Sequence, residues 1–310
     1  MTRPTTQIFD AAATARLMPY AALVDALRRA SIDYAHERIV SPERLVVPLN
    51  AGGIMLSMPA TASDLAIHKL VNVCASNGAR NLPTIHGQVM AFDADTGETL
   101  FVLDGPTVTG RRTAAMSMLG IATFAQRAPH EFLLIGTGMQ ALNHLEAIGE
   151  LYPDARVWVK GSAPARAEAF CAAQRDKVRE LRPLTEAGTT IPASVDVVIA
   201  LTTSKQPVYD EMARAGRLVI GVGAFTPQMV EIGATTLAGS ALFVDDPAGA
   251  RHEAGDFIQA GVDWARVGGI AAVLDQTQPA PTGPVVFKSV GCAAWDLAAC
   301  RVARAALERG

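Results

Sequence analysis

The feature that most constrains this chain is a change in the period of its hydrophobic residues. Between 45 and 103 apolar and polar residues alternate, whereas from 132 onward short apolar runs are separated by helical segments. A period of two marks strands with one buried face, and strands separated by helices mark βαβ units of a parallel sheet. The first region reads as strands at 54–58, 65–73, 85–92 and 99–103, with Asp93-Ala94-Asp95-Thr96-Gly97 as a hairpin turn. The second reads as strands at 132–135, 156–159, 196–201, 217–222 and 241–244, with helices at 139–151 and 164–177, in a parallel sheet spanning 125–285. Residues before 40 read as helical: Asp10 caps a short helix, and Pro19 sits in the first turn of a second. A long helix over 109–126 joins the two regions. An alanine-rich amphipathic helix over 293–309 can pack back on the first.

Composition narrows the function classes. Half of the 310 residues are hydrophobic and 18% are charged, which excludes a disordered chain. No apolar run approaches the roughly 18 residues needed to span a bilayer. A net charge of −3 without a dense basic run argues against nucleic acid as a partner. Asp10 and Arg16 interrupt any signal-like apolar stretch, so a soluble cytoplasmic protein is expected. Cys74, Cys171, Cys292 and Cys300 lack metal-ligand spacing and read as buried reduced thiols.

Two places carry chemistry. Gly136-Thr137-Gly138-Met139-Gln140-Ala141 follows a strand and opens a helix, in the GxGxxA pattern of a dinucleotide-binding turn. The first glycine permits the tight turn, the second lets backbone approach a pyrophosphate, and the small third residue lets helix and strand pack closely. The same turn also serves as plain strand-to-helix architecture, so the pattern alone leaves that reading open. About twenty residues on, an NAD site usually places a carboxylate on the ribose. Here the sequence reads Trp158-Val159-Lys160-Gly161-Ser162, with Arg166 nearby, which favours NADP(H) over NAD(H) unless these are only solvated surface charges. The second place is Lys69, which shares a strand face with Ile67 and Val71. Desolvation there lowers its pKa and suits it to proton donation or anion binding, unless it snorkels from an edge strand. Arg111 and Arg112 open the helix after Gly105-Pro106, where cations are favourable only opposite a bound anion.

These residues carry a resemblance. Arg44, Ser57-Met58-Pro59-Ala60, Lys69, Asn77, Leu82-Pro83-Thr84 and Gly87 resemble the ornithine cyclodeaminase/mu-crystallin family, as do Asp95-Thr96-Gly97, Asp104-Gly105 and Thr109-Gly110-Arg111-Arg112-Thr113-Ala114-Ala115. The glycine turn with His144, Glu253-Ala254-Gly255-Asp256, and Phe287-Lys288-Ser289-Val290-Gly291 followed by Asp296 extend the match over nearly the whole chain. The resemblance implies an α/β fold: a Rossmann-type doubly wound parallel sheet (116–287) plus a smaller α+β antiparallel-sheet domain (1–115 with 288–310) for substrate binding and homodimerisation. It implies NAD(P)(H)-dependent hydride transfer at the α-carbon of a small imino or amino acid. Arg44, Lys69 and Arg112 would hold the substrate carboxylate, with Met58 and Phe225 lining the substrate. Lys69, Arg112 and Thr226 would serve catalysis. Thr84, Arg112, Thr113, Gly136, Thr137, Gly138, Met139, Gln140, Ser162, Thr202 and Lys288 would contact the cofactor.

One departure sharpens the expectation. Ornithine cyclodeaminases carry an acid in a glycine-x-Asp-x-Pro pattern after the fifth Rossmann strand, where this chain has Gly223-Ala224-Phe225-Thr226-Pro227. The glutamate those enzymes carry just before Met-Pro is replaced by Leu56 or Ser57. Without these acids, deamination of ornithine loses its proton-transfer groups. Reduction of a cyclic ketimine carboxylate such as pyrroline- or piperideine-2-carboxylate needs only a hydride and one proton. Ornithine cyclodeaminase, alanine dehydrogenase and a non-catalytic carboxylate-binding protein like mu-crystallin are the alternatives.

Overall fold

The computed structural model describes residues 6–185 and 191–309. The chain divides into two compact units, Met1–Arg112 with Cys292–Gly310, and Thr113–Gly291. The boundaries fall at 112/113 and 291/292, where the sequence placed them at 115/116 and 287/288.

Among the described residues the first unit is built on a six-stranded sheet. Its order is Gln7–Ile8, Thr99–Asp104, Ile85–Phe92, Ala66–Val73, Ile54–Thr61 and Leu45–Pro48. All neighbours are antiparallel except Gln7–Ile8, which runs parallel to Thr99–Asp104 in a segment the sequence reads as helical. The helices Tyr20–Ala35 and Ala293–Arg309 pack on each other, and the latter lies against the strands Ile54–Thr61 and Ala66–Val73. Leu23, Leu27, Trp295, Leu297 and the inward residues of those strands form this core, each large side chain adding about 1.5–3 kcal/mol. Asp10 caps Ala11–Arg16 by accepting from the Ala13 N–H at 2.8 Å, as expected. Pro19 takes the cap position before Tyr20–Ala35 and not its first turn.

The helix after this sheet spans Gly105–Phe124, starting four residues earlier than 109. Gly105 itself opens it, because the backbone of Gly87 on the neighbouring strand leaves no room for a Cβ. Arg111 and Arg112 therefore lie in the second turn, where the dipole argument against cations has faded.

The second unit is an eight-stranded, wholly parallel sheet among the described residues. Its order is Val267–Gly269, Ala241–Val244, Val285–Lys288, Leu218–Gly221, Val197–Ala200, Glu131–Ile135, Arg156–Lys160 and Glu180–Pro183. Val197–Ala200, Leu218–Gly221 and Val285–Lys288 are buried along their whole length, which explains their apolar runs, broken only by Lys288. From Glu131–Ile135 the chain builds outward to Glu180–Pro183, then returns to Val197–Ala200 on the other side. The strand order thus reverses between Glu131–Ile135 and Val197–Ala200, where doubly wound sheets bind ligands. Helices Met139–Leu151 and Pro164–Gln174 occupy the expected segments, the second ending three residues before 177. The sequence reading missed Glu180–Pro183, Val267–Gly269, Val285–Lys288 and the separate parallel pair Lys205–Tyr209 with Val230–Ile232. No helix of the described residues is long and apolar enough to cross a membrane. Cys171 and Cys300 are buried free thiols, Cys292 is buried outside any disulfide, and Cys74 is half-buried.

Candidate active site

In the first unit, alternation along Ala66–Val73 turns Ile67, Lys69 and Val71 to the buried face, leaving Lys69 2% exposed. The antiparallel register sets Met58 directly opposite Lys69 on one neighbouring strand and Val89 on the other. Asp296, in the first turn of Ala293–Arg309, lies between two cations. Its Oδ2 is 2.5 Å from Lys69 Nζ, and its Oδ1 accepts from Arg112 Nε at 3.2 Å. Two buried cations against one buried carboxylate leave a formal charge of +1. Uncompensated buried charge costs several kcal/mol, so the cluster favours an incoming anion, and a planar carboxylate matches a guanidinium fork.

Burial pushes Lys69 down from 10.5 to about 8. Asp296 opposes that shift, while the charges of Arg112 and the half-buried Arg44 add to it. Such an ammonium is mostly protonated at neutral pH yet gives its proton up readily. Arg111 takes no part in this cluster: its Nε donates to the Met18 carbonyl at 2.9 Å, and its guanidinium lies 3.9 Å over the Tyr20 ring. Thr84 is exposed at the head of Ile85–Phe92, its carbonyl accepting from the Cys74 N–H at 2.8 Å.

In the second unit, the turn after Glu131–Ile135 sits at the strand-order reversal. Gly136 has φ +132°, and a Cβ on it would lie 2.7 Å from the Leu201 carbonyl oxygen. Gly138 caps Met139–Leu151 with ordinary extended backbone, and a Cβ on it would meet nothing within 4 Å. Gly138 and Met139 are exposed, Thr137 and Gln140 partly so, and Ala141 is fully buried against the sheet. The open cap and the free N–H groups of a 13-residue helix fit a dinucleotide pyrophosphate. His144, one turn on, contacts the Gln140 carbonyl through Nδ1 at 2.7 Å and Ser117 Oγ through Nε2 at 2.9 Å. A carbonyl only accepts, so Nδ1 carries the proton and Nε2 receives the serine O–H. Burial pushes His144 down to about 4, so it is a neutral brace for the helix. Lys160, the last residue of Arg156–Lys160, is exposed, as are Ser162 and Arg166 just beyond it. Thr202, Phe225 and Thr226 are partly buried in the turns after Val197–Ala200 and Leu218–Gly221. Lys288, expected at the cofactor, is fully buried, with Nζ 2.9 Å from Asp256 Oδ2 and 3.8 Å from Glu231 Oε2.

Gly138→Ala separates the fold from the cradle. The added methyl has room, so the melting temperature should stay within about 2 °C of the parent. It projects where a pyrophosphate would approach the backbone, so the Kd for a nicotinamide dinucleotide should rise at least about tenfold. Fluorescence titration alongside a thermal melt checks both, and unchanged affinity would remove Gly138 from the site.

The model of the ornithine cyclodeaminase/mu-crystallin family matches residues 6–310. The chain belongs to that family. A Delta(1)-pyrroline-2-carboxylate/Delta(1)-piperideine-2-carboxylate reductase of Azospirillum brasilense is 61% identical over 300 residues, covering 97% of this chain and 96% of its own. The ketimine reductase mu-crystallin of Mus musculus is 30% identical over 270 residues, covering 85% and 84%. A Thermococcus litoralis Delta(1)-pyrroline-2-carboxylate reductase, solved with NADH and L-proline, shares the fold at a TM-score of 0.88 and 22% identity, covering 98% of each chain.

Within the family pattern, the structure settles which residue stands before Met58 on the Lys69 face. Leu56 pairs with Val71 and is buried on that face, whereas Ser57 lies on the other, its Oγ 2.8 Å from His68 Nε2. An apolar residue therefore occupies the site side. Sequence reasoning gave Asp296 no role, and it gave none to Glu231 or Asp256. The signal for Asp296 was present: one acid in an otherwise apolar stretch, Ala293-Ala294-Trp295-Asp296-Leu297-Ala298, needs a buried cation as partner.

Proposed function

We propose that this protein reduces small cyclic ketimine carboxylates, pyrroline- or piperideine-2-carboxylate, with NADPH as the preferred reductant. The buried Lys69–Asp296–Arg112 cluster carries the reading, because its net positive charge calls for a carboxylate and its ammonium holds an available proton. The 61% identity to a reductase named for both substrates supports it. A reduced nicotinamide dinucleotide on the Gly136–Gly138 turn would supply the hydride. Arg112, with Arg44, fixes the carboxylate and so the orientation of the adjacent α-carbon. Lys69 donates a proton to the imine nitrogen as the C=N bond becomes a C–N single bond, and solvent reprotonates the amine. Leu56 and Met58 are buried on the Lys69 face and suit a methylene ring, and by the family resemblance Phe225 would line the substrate and Thr226 would serve catalysis.

Exposed Lys160, Ser162 and Arg166, with no carboxylate among them, support a 2′-phosphate. The edge strand Leu45–Pro48 is exposed along its length, with Leu45, Val46 and Val47 apolar, and this supports a homodimer that covers it. Light scattering should give twice the 32.6 kDa chain mass, and a monomer would rule the dimer out.

The deciding assay supplies each imine with NADPH or NADH and follows cofactor oxidation, then supplies ornithine with NAD⁺ and follows ammonia. Imine turnover, faster with NADPH, and no ammonia are expected. Robust ammonia release would restore cyclodeaminase. Tight ligand binding without turnover of any imine would point to a binding protein.

A further inference from the structure

A second buried charge cluster, built by the Thr113–Gly291 unit alone, has no part in the chemistry above. Glu231, on the short strand Val230–Ile232, is fully buried and accepts three backbone N–H groups. Its Oε1 takes that of Thr202 at 2.5 Å, and its Oε2 takes those of Gly223 at 2.7 Å and Ala224 at 2.9 Å. Those donors lie in the turns after two neighbouring parallel strands, Val197–Ala200 and Leu218–Gly221. The turns press together so closely that a Cβ on Gly223 would sit 2.1 Å from the Thr202 carbonyl oxygen.

The carboxylate is itself braced from behind. Asp256 Oδ1 accepts the backbone N–H groups of Glu231 and, at 2.8 Å, of Ile232. Asp256 Oδ2 pairs with Lys288, whose ammonium also faces Glu231. All three side chains are at most 1% exposed. A buried ionic set of this kind is poor value for stability alone, since apolar replacements of similar volume are often no less stable. Its arrangement serves position instead: the Glu231 carboxylate takes N–H groups from both of the turns that carry Thr202, Phe225 and Thr226, with the Lys288 ammonium beside it.

We propose that Glu231, braced by Asp256 and Lys288, is a positioning residue that sets the spacing of the 202 and 223–226 turns for the reduction. The proposal rests on the reductase reading above and adds to it the device that keeps those two turns in register. Glutamine is the informative replacement, because its single oxygen cannot serve N–H groups on both sides, and its NH₂ must face a donor whichever way it turns.

The experiment uses the full-length Glu231→Gln protein, with the folded fraction counted by near-UV circular dichroism. Steady-state kinetics with pyrroline-2-carboxylate and NADPH should show kcat per folded molecule lowered about 10²-fold, the effect of a misplacement on the order of 1 Å. KM for the imine should move less than about threefold, because the carboxylate is gripped by Lys69 and Arg112. A purely structural role would reduce the folded fraction and leave kcat per folded molecule unchanged, which would overturn the proposal. In the parent protein, the amides of Thr202, Gly223 and Ala224 should exchange with deuterium as slowly as those of the central strands. Fast exchange there would overturn it too, even where the variant does not fold. A parent that turns over no imine would sink the reductase reading, while the exchange result would still judge the bracing.

Discussion

Lys69→Met is expected to lower kcat/KM for the cyclic imine about 10³-fold at neutral pH, within the range of losing a general acid together with a substrate contact. Methionine nearly fills the lysine's volume, so the sheet and the pairing with Met58 should survive. The remaining Arg112–Asp296 pair is formally neutral, and an arriving carboxylate no longer meets a net positive charge. Initial rates of imine-dependent NADPH oxidation decide the matter, and a loss below tenfold would remove Lys69 from the chemistry. The pH dependence gives a second signature. With Lys69 at about 8, the parent's kcat/KM should fall as pH rises through 8, and the variant should lack that limb. Stability should move the other way. Between about 8 and the ordinary 10.5 the unfolded chain holds the proton and the folded chain has lost it, so this group's contribution rises with pH across that window. Below 8 both states are protonated, and the full cost of burying the ammonium is present. Urea unfolding on either side of pH 8 should show this rise in the parent relative to Lys69→Met.

How much of this was legible in the sequence depended on how local each signal is. The glycine turn was readable because Ile135, Gly136, Gly138 and the helix from Met139 are consecutive, and the chemistry of each step is local. The face of Lys69 was readable from alternation alone. The two-residue strand Gln7–Ile8 was not, since two residues carry no period and their pairing with Phe101 and Val102 is entirely long-range. The choice between Leu56 and Ser57 likewise needed the register against Val71 and Leu70, which no pattern within one strand contains. The surroundings of Lys288 were illegible for a related reason: its cofactor role came only from the family resemblance, and its partners Glu231 and Asp256 come from separate elements. Asp296 sat in plain view as an isolated acid, yet the partners that define it, Lys69 and Arg112, lie far back in the chain.

That dependence on distant partners makes Asp296 the most sensitive point of the first unit. Asp296→Asn keeps the shape of the side chain but leaves Lys69 and Arg112 buried without a counter-charge. Removing one partner of a buried ionic set typically costs about 3–5 kcal/mol, far more than an exposed pair. Urea denaturation followed by far-UV circular dichroism should show a loss of that size with an unchanged slope, and a loss below about 1 kcal/mol would mean that the cluster does not hold its charges as described. The variant also raises the cluster's formal charge from +1 to +2. A saturating carboxylate ligand such as proline should therefore recover more stability in the variant than in the parent, since binding to the folded state alone stabilises it by mass action. The same loss acts on the proton. The Asp296 charge is the strongest influence holding the Lys69 pKa up against burial, so its removal should move the alkaline limb of kcat/KM to below pH 8. A limb that stayed in place would mean that a group other than Lys69 sets it.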